Sequence, residues 1–78
     1  MTYTHFYDLL KLAVDTAEDI NMKSVLADLE GYDSLSILGI MAMADGSFGV
    51  KLTASDFSKV TTVESLINII GREHFNLG

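Results

Sequence analysis

Gly31-Tyr32-Asp33-Ser34-Leu35-Ser36-Ile37-Leu38-Gly39-Ile40-Met41-Ala42-Met43-Ala44 is the stretch from which the rest of the chain is read. Gly31 permits a turn, and either Asp33 or Ser34 suits a helix start, because a short side-chain oxygen accepts from an orphan first-turn amide. Downstream, Ile37, Ile40, Met41, Ala44 and Phe48 recur at spacings of three, one, three and four, which is one face of a helix. The pattern predicts a helix from Ser34 to Ala44, ended by Gly46 and Gly49.

Toward the N-terminus, Phe6, Leu9, Leu10, Ala13 and Ala17 form a second apolar stripe. It predicts a helix from Thr4 to Ala17, with Thr4 as N-cap and Asp8 near the positive end of its dipole. Between Glu18 and Asp33, Ile20, Met22, Val25, Leu26 and Leu29 follow no long period. This reads as a connection that packs its own apolar residues down, with a helical turn around Ser24 to Leu29.

Toward the C-terminus, Thr53 with Asp56 three residues later resembles a capping box and opens a short helix over Ala54 to Ser58. Thr61 with Glu64 forms a second box ahead of Val63 to Ile70, where Val63, Leu66, Ile67 and Ile70 share a face. Gly71 stands where a helix C-terminus expects glycine. The tail from Arg72 to Gly78 reads as a segment free to fray, with Phe75 and Leu77 able to pack back onto the core. The expected fold is all-α: a small bundle of three main helices plus one short third helix, in a single domain over residues 1–78.

Composition narrows the chemistry. The chain has 78 residues, 49% of them hydrophobic, which suits one packed domain rather than disorder. It has no cysteine, which excludes a disulfide framework, a thiolate metal site and a cysteine nucleophile. Its two histidines, His5 and His74, lie at opposite ends of the sequence and make a poor basis for a zinc site. A net charge of −6 repels phosphate backbones and anionic lipid, so neither nucleic acid nor membrane is an expected partner. The same charge favours a monomer and soluble partners with basic patches. No segment reads as a signal peptide or a bilayer span, and the expected location is the cytoplasm.

No catalytic constellation stands out. Neither histidine sits beside a serine in a triad-like context, and no phosphate-cradling glycine motif precedes a helix. A domain this small also leaves little room for an enzyme-sized pocket. What remains is Ser34 at a helix start. Its plain reading is an N-cap, but a phosphodiester attached there would lie near free amides and the positive end of the dipole.

The surroundings of Ser34 resemble the acyl carrier protein family along nearly the whole chain. The Asp33-Ser34-Leu35 motif follows Leu29 and Gly31 as the family's lead-in does. Phe48 in Asp45-Gly46-Ser47-Phe48-Gly49-Val50 is similar to the family's phenylalanine at the end of its second helix. Val60-Thr61-Thr62-Val63-Glu64-Ser65-Leu66 is similar to its Thr-Val stretch before the last helix.

The resemblance implies a four-helix bundle of acyl-carrier type. It implies a 4′-phosphopantetheine arm moved from coenzyme A onto Ser34 by a phosphopantetheinyl transferase, which supplies magnesium and the base. The arm's thiol would then carry acyl groups as thioesters between acyl-loading and acyl-transfer or condensing enzymes. Such a chain is a substrate and shuttle, not an enzyme, in a specialised lipid, polyketide or related pathway. Asp33 would help the transferase recognise the site, while Leu35 has both a core and a partner-contact reading. Ile40, Met41, Ala44, Phe48, Leu66 and Ile70 are assigned to the core, and Met41 and Met43 would allow it to repack around an acyl chain.

Two alternatives stay open. One is a peptidyl or aminoacyl carrier, whose family usually has a second glycine where this chain has Tyr32-Asp33. The other is a helical interaction module that is never modified.

One departure from the family concerns partner docking. The expected outer face of the second helix comprises Ser36, Leu38, Gly39, Ala42, Asp45 and Gly46, with a single acid. Carriers of fatty acid synthesis present an acidic face there, so this chain is expected to serve partners with a flatter, more apolar surface. Glutamates at positions 39 and 46 are accordingly expected to improve docking to fatty acid enzymes.

Overall fold

The computed structural model describes residues 1–76. The elements in order are α1 (Tyr3–Val14), a 3-10 turn (Leu26–Asp28), α2 (Ser34–Phe48), α3 (Ala54–Phe57), α4 (Val63–Ile70) and a second 3-10 turn (Arg72–His74). Extended pairing among the described residues is limited to two isolated bridges, Thr2 with Asn76 and Val25 with Thr62. The fold is the all-α bundle expected from the apolar periodicity. Leu77 lies outside the described residues.

The helix ends differ from expectation where capping chemistry outweighs periodicity. Thr2, not Thr4, caps α1, its hydroxyl accepting from the His5 amide at 3.1 Å. The helix stops at Val14 because Asp15 turns left-handed (φ 58°) and returns its N–H to the Lys11 carbonyl. Ala17 therefore falls outside the helix and is exposed. The buried stripe is Phe6, Leu10 and Val14, four residues apart, while Leu9 and Ala13 are half-buried at its edge.

Helix α2 runs past Ala44 to Phe48. Gly46 does not end it; the ending falls at Gly49, whose left-handed φ of 70° lets its N–H reach the Ala44 and Asp45 carbonyls. At α4 the capping box uses Thr62 and Ser65 instead of Thr61 and Glu64. The α3 box of Thr53 and Asp56 is as expected.

Two contacts set α1 and α2 antiparallel. A Cβ added at Gly39 would lie 3.4 Å from the Ala13 carbonyl oxygen, and the Phe6 and Phe48 rings are 6.0 Å apart. The C-terminus of α1 thus lies beside the N-terminus of α2. The long connection between them packs Ile20, Leu26 and Leu29 into the core, and its turn falls inside the expected span. It also satisfies orphan amides of α4: Val63 donates to the Ser24 carbonyl at 2.9 Å and Glu64 to the Met22 carbonyl at 3.0 Å.

The core centres on Phe6, Leu10, Leu26, Ile40, Leu66 and Ile67, all essentially inaccessible to solvent. Each such side chain contributes roughly 1.5–3 kcal/mol by leaving water. Ala44 and Ile70 are buried as expected, while Met41 and Phe48 are partly buried against the core. Phe75 does fold back, with its ring 5.2 Å from Tyr3, 5.1 Å from Phe6 and 5.1 Å from Phe48. Among the described residues the interior encloses no pocket.

Candidate functional site

The approach to α2 is a tight turn laid against the end of α1. Tyr32 N–H donates to the Leu29 carbonyl at 3.2 Å, and Gly31 adopts a φ of 84°. A Cβ there would meet the Val14 and Asp15 carbonyl oxygens at 3.0 and 3.2 Å, so close approach and backbone sign both call for glycine. Tyr32 is half-buried beside this turn, and burial pushes its phenol pKa up.

Asp33 is the N-cap of α2. Its Oδ1 accepts from the Ser36 amide at 3.0 Å, and the Ser36 hydroxyl accepts from the Asp33 amide at 3.2 Å. The single Ser36 hydroxyl proton has two acceptors in reach: the Gly31 carbonyl at 3.1 Å and Asp33 Oδ1 at 3.2 Å. Ser36 is 3% exposed. This box satisfies two first-turn donors and fixes the backbone on both sides of Ser34.

Ser34 is the first residue of the helix and is exposed. Its hydroxyl makes no hydrogen bond among the described residues. Serine at such a position often serves as the cap itself, but Asp33 and Ser36 perform that task here. The result is a nucleophilic oxygen in water, at the positive end of a helix whose first amides lack intrahelical partners. The position fits a phosphodiester: there is open space above it, and amide dipoles point toward a charge of −1.

The residues expected on the docking face separate into two sets. Leu35, Leu38, Ala42 and Asp45 are exposed and fall within about an 80° arc at 100° per residue. Leu35 is 74% exposed and Leu38 60%, so Leu35 is not a core residue. Ser36 and Gly39 do not belong to this face. Ser36 is buried in the capping box, and Gly39 faces α1, where a Cβ would touch Ala13. A glutamate at position 39 would therefore meet α1 rather than a partner, whereas a Cβ at Gly46 meets nothing within 4 Å.

Apart from Asp45, α2 carries no charged side chain. The connection leading into α2 instead carries Asp15, Glu18, Asp19, Asp28, Glu30 and Asp33, all exposed. Glu18 Oε2 accepts from the Glu30 amide at 2.6 Å, which ties the two ends of this acidic connection together.

The buried role of Ser36 was missed in the sequence, although a signal for it was present. Asp33 followed by Ser36 has the spacing of a capping box, with serine in place of the usual glutamate. Thr62 and Ser65 repeat the pattern at α4. Neither histidine joins a metal-binding group, and no cluster of three or more His, Cys, Asp or Glu side chains suited to a metal occurs among the described residues. No helix of the described chain is long and apolar enough to cross a membrane.

Comparison with known proteins bears on the same region. The family profile described as a phosphopantetheine attachment site matches residues 6–70, from α1 through the end of α4. An acyl carrier protein of Thermotoga maritima is 30% identical over 63 residues, which cover 81% of this chain and 76% of that protein. No solved structure matches at a significant level.

Proposed function

The chain belongs to the acyl carrier protein family with its phosphopantetheine attachment site, and on that premise we propose that it is an acyl carrier whose arm is attached to Ser34. Membership makes it a carrier rather than a catalyst and gives it a covalently bound 4′-phosphopantetheine. The observation that carries the assignment to Ser34 is its exposed, unbonded hydroxyl at the first residue of α2.

In the proposed modification, Ser34 Oγ forms a bond to the phosphorus of coenzyme A that bears the pantetheine. The bond from that phosphorus to the adenosine 3′,5′-bisphosphate leaving group breaks. The serine proton passes to a base on the phosphopantetheinyl transferase. The arm's thiol is then the only thiol present, since the chain has no cysteine of its own. A flexible tether raises the local concentration of cargo at each partner active site.

Leu35, Leu38 and Ala42 provide an apolar, nearly uncharged seat for the enzymes that load and unload the arm. Partners of the general fatty acid machinery, which rely on basic patches, are expected to dock poorly on it. The Tyr32-Asp33 lead-in supports acyl rather than peptidyl cargo.

Intact mass tests the proposal. Unmodified folded protein is incubated with coenzyme A, magnesium and a broad-specificity transferase. A gain of one phosphopantetheine unit is expected in the parent and none in Ser34→Ala. No gain in the parent sinks the reading.

A further inference from the structure

We infer that Ser36, buried and two residues from the proposed attachment point, is a positioning residue for group transfer to Ser34. The inference rests on the carrier reading above and concerns how this chain presents its hydroxyl.

Two serines of the same turn are treated in opposite ways. Ser34 is exposed and makes no hydrogen bond, while Ser36 is 3% exposed and is the one buried polar residue in the described chain. The Ser36 hydroxyl accepts from Asp33 N–H and donates to either the Gly31 carbonyl or Asp33 Oδ1. One side chain thus holds the peptide entering Asp33 and, through its single proton, either the carboxylate before Ser34 or the Gly31 carbonyl of the turn.

Without the Ser36 hydroxyl, the Asp33 amide loses its acceptor and Asp33 Oδ1 loses one of its two donors. The carboxylate beside Ser34 then keeps only the Ser36 amide as donor, and the peptide entering Asp33 keeps no side-chain acceptor in the turn. A looser carboxylate and a looser backbone ahead of Ser34 both let Ser34 Oγ sample more directions relative to the incoming phosphorus. Both effects act on the orientation of the reacting oxygen, so they fall on turnover more than on docking. Leu35 and Leu38, the exposed apolar side chains that a transferase would meet, make no part of the capping box that the substitution alters.

A separation from plain stability is built into the fold. The α4 box has the same serine at its third position, with a threonine hydroxyl where α2 has a carboxylate: Ser65 Oγ accepts from Thr61 N–H and Thr62 N–H at 3.0 Å each, and Thr62 Oγ1 accepts from Ser65 N–H at 3.1 Å. Ser65→Ala removes an equivalent cap from a helix that does not carry the attachment point.

The test measures steady-state transfer of phosphopantetheine from coenzyme A to the apo chain by a broad-specificity transferase, with folding checked by circular dichroism. Ser36→Ala is expected to lower kcat about tenfold, within the range that small misplacements of reacting groups produce. KM for the chain is expected to stay within about twofold, since only orientation is altered. Ser36→Thr, which keeps the hydroxyl, should recover most of the parent rate, and Ser65→Ala should retain it. Should Ser36→Ala fail to fold, the near-isosteric Ser36→Cys replaces it and is expected to be slow for the same reason.

A folded Ser36→Ala or Ser36→Cys at the parent rate overturns the inference. So does an equal loss in Ser65→Ala, which would trace the effect to stability alone, or a rise in KM with kcat unchanged. Failure of the parent to gain mass is a different result: it removes the carrier reading, and this inference with it.

Discussion

At its N-terminal end α2 is held by hydrogen bonds among Gly31, Asp33 and Ser36, groups no more than five residues apart in sequence. At its C-terminal end, about 21 Å along the axis at 1.5 Å per residue, Phe48 is held by rings from both ends of the chain. Phe6 lies 6.0 Å away, Phe75 5.1 Å and His74 5.5 Å. The first end is local and polar, and it leaves one hydroxyl in water. The second is non-local and apolar, and it ties α1 and the C-terminal turn to α2. Chemistry at the exposed Ser34 hydroxyl can therefore proceed with little effect on the packing at the second end.

The sharpest division between the ends comes from Ser34→Ala. It should abolish the mass gain entirely while changing unfolding free energy by less than about 0.5 kcal/mol, as for exposed sites generally. A large loss of stability in urea unfolding would mean that Ser34 supports the turn after all. Next in size is Phe6→Ala, which leaves a void among the core and the distal rings. It should cost about 3–5 kcal/mol, yet molecules that remain folded should still accept the arm at the parent rate.

A third substitution probes the seam joining the ends. Gly39→Leu places a side chain against Ala13 and should destabilise by about 1–3 kcal/mol, as overpacking does. Near-neutral behaviour in thermal melts would show that α1 and α2 can part there. Gly46→Glu should act weakly in the opposite sense, by less than about 0.5 kcal/mol, because losing a helical glycine in the last turn of α2 is partly offset by a negative charge at the negative end of the dipole. Its open surroundings allow the side chain. It should also raise loading by a fatty acid synthesis acyltransferase; no gain in that assay would argue against the neutral docking face.

The smallest effect is expected at α3, whose box uses a carboxylate where α2 and α4 use a serine hydroxyl. The Thr53 backbone amide beside the Asp56 carboxylate, together with the Thr53 hydroxyl, holds its pKa below the usual 3.8. Because the folded value is the lower one, the contribution is complete above about pH 4 and is lost as pH falls through the folded pKa. Carboxyl titration by NMR should show Asp56 protonating below the usual aspartate value, and Thr53→Ala should bring it back up. Amide exchange of α3 should quicken over the same range.

Much of this was legible beforehand, and the legible part has a common cause. The helix periods, the turn at Gly31, the Thr53–Asp56 box and the exposed start of α2 at Ser34 are all set by residues within a few positions of one another. Errors arose where two local signals competed. Thr2 and Thr4 were both available caps for α1, and Thr61 and Thr62 for α4. Periodicity carried α1 on to Ala17 because Asp15 gives no warning in sequence of a left-handed turn. Gly46 and Gly49 looked alike as stops, but only the second takes a positive φ.

By itself, the sequence determined an all-α chain, acidic and without thiols, with a serine set at a helix start in the Asp33-Ser34-Leu35 motif. Local sterics and capping act over a few residues and need no knowledge of the remainder of the chain. Only the tertiary structure decided which side chains lie outside. It turned Gly39 inward, left Leu35 and Leu38 in water, and gathered Tyr3, Phe6, Phe48 and Phe75 into one cluster. Those outcomes depend on where α1 crosses α2 and where the chain ends return, and contacts between residues far apart in sequence leave no periodic trace in it.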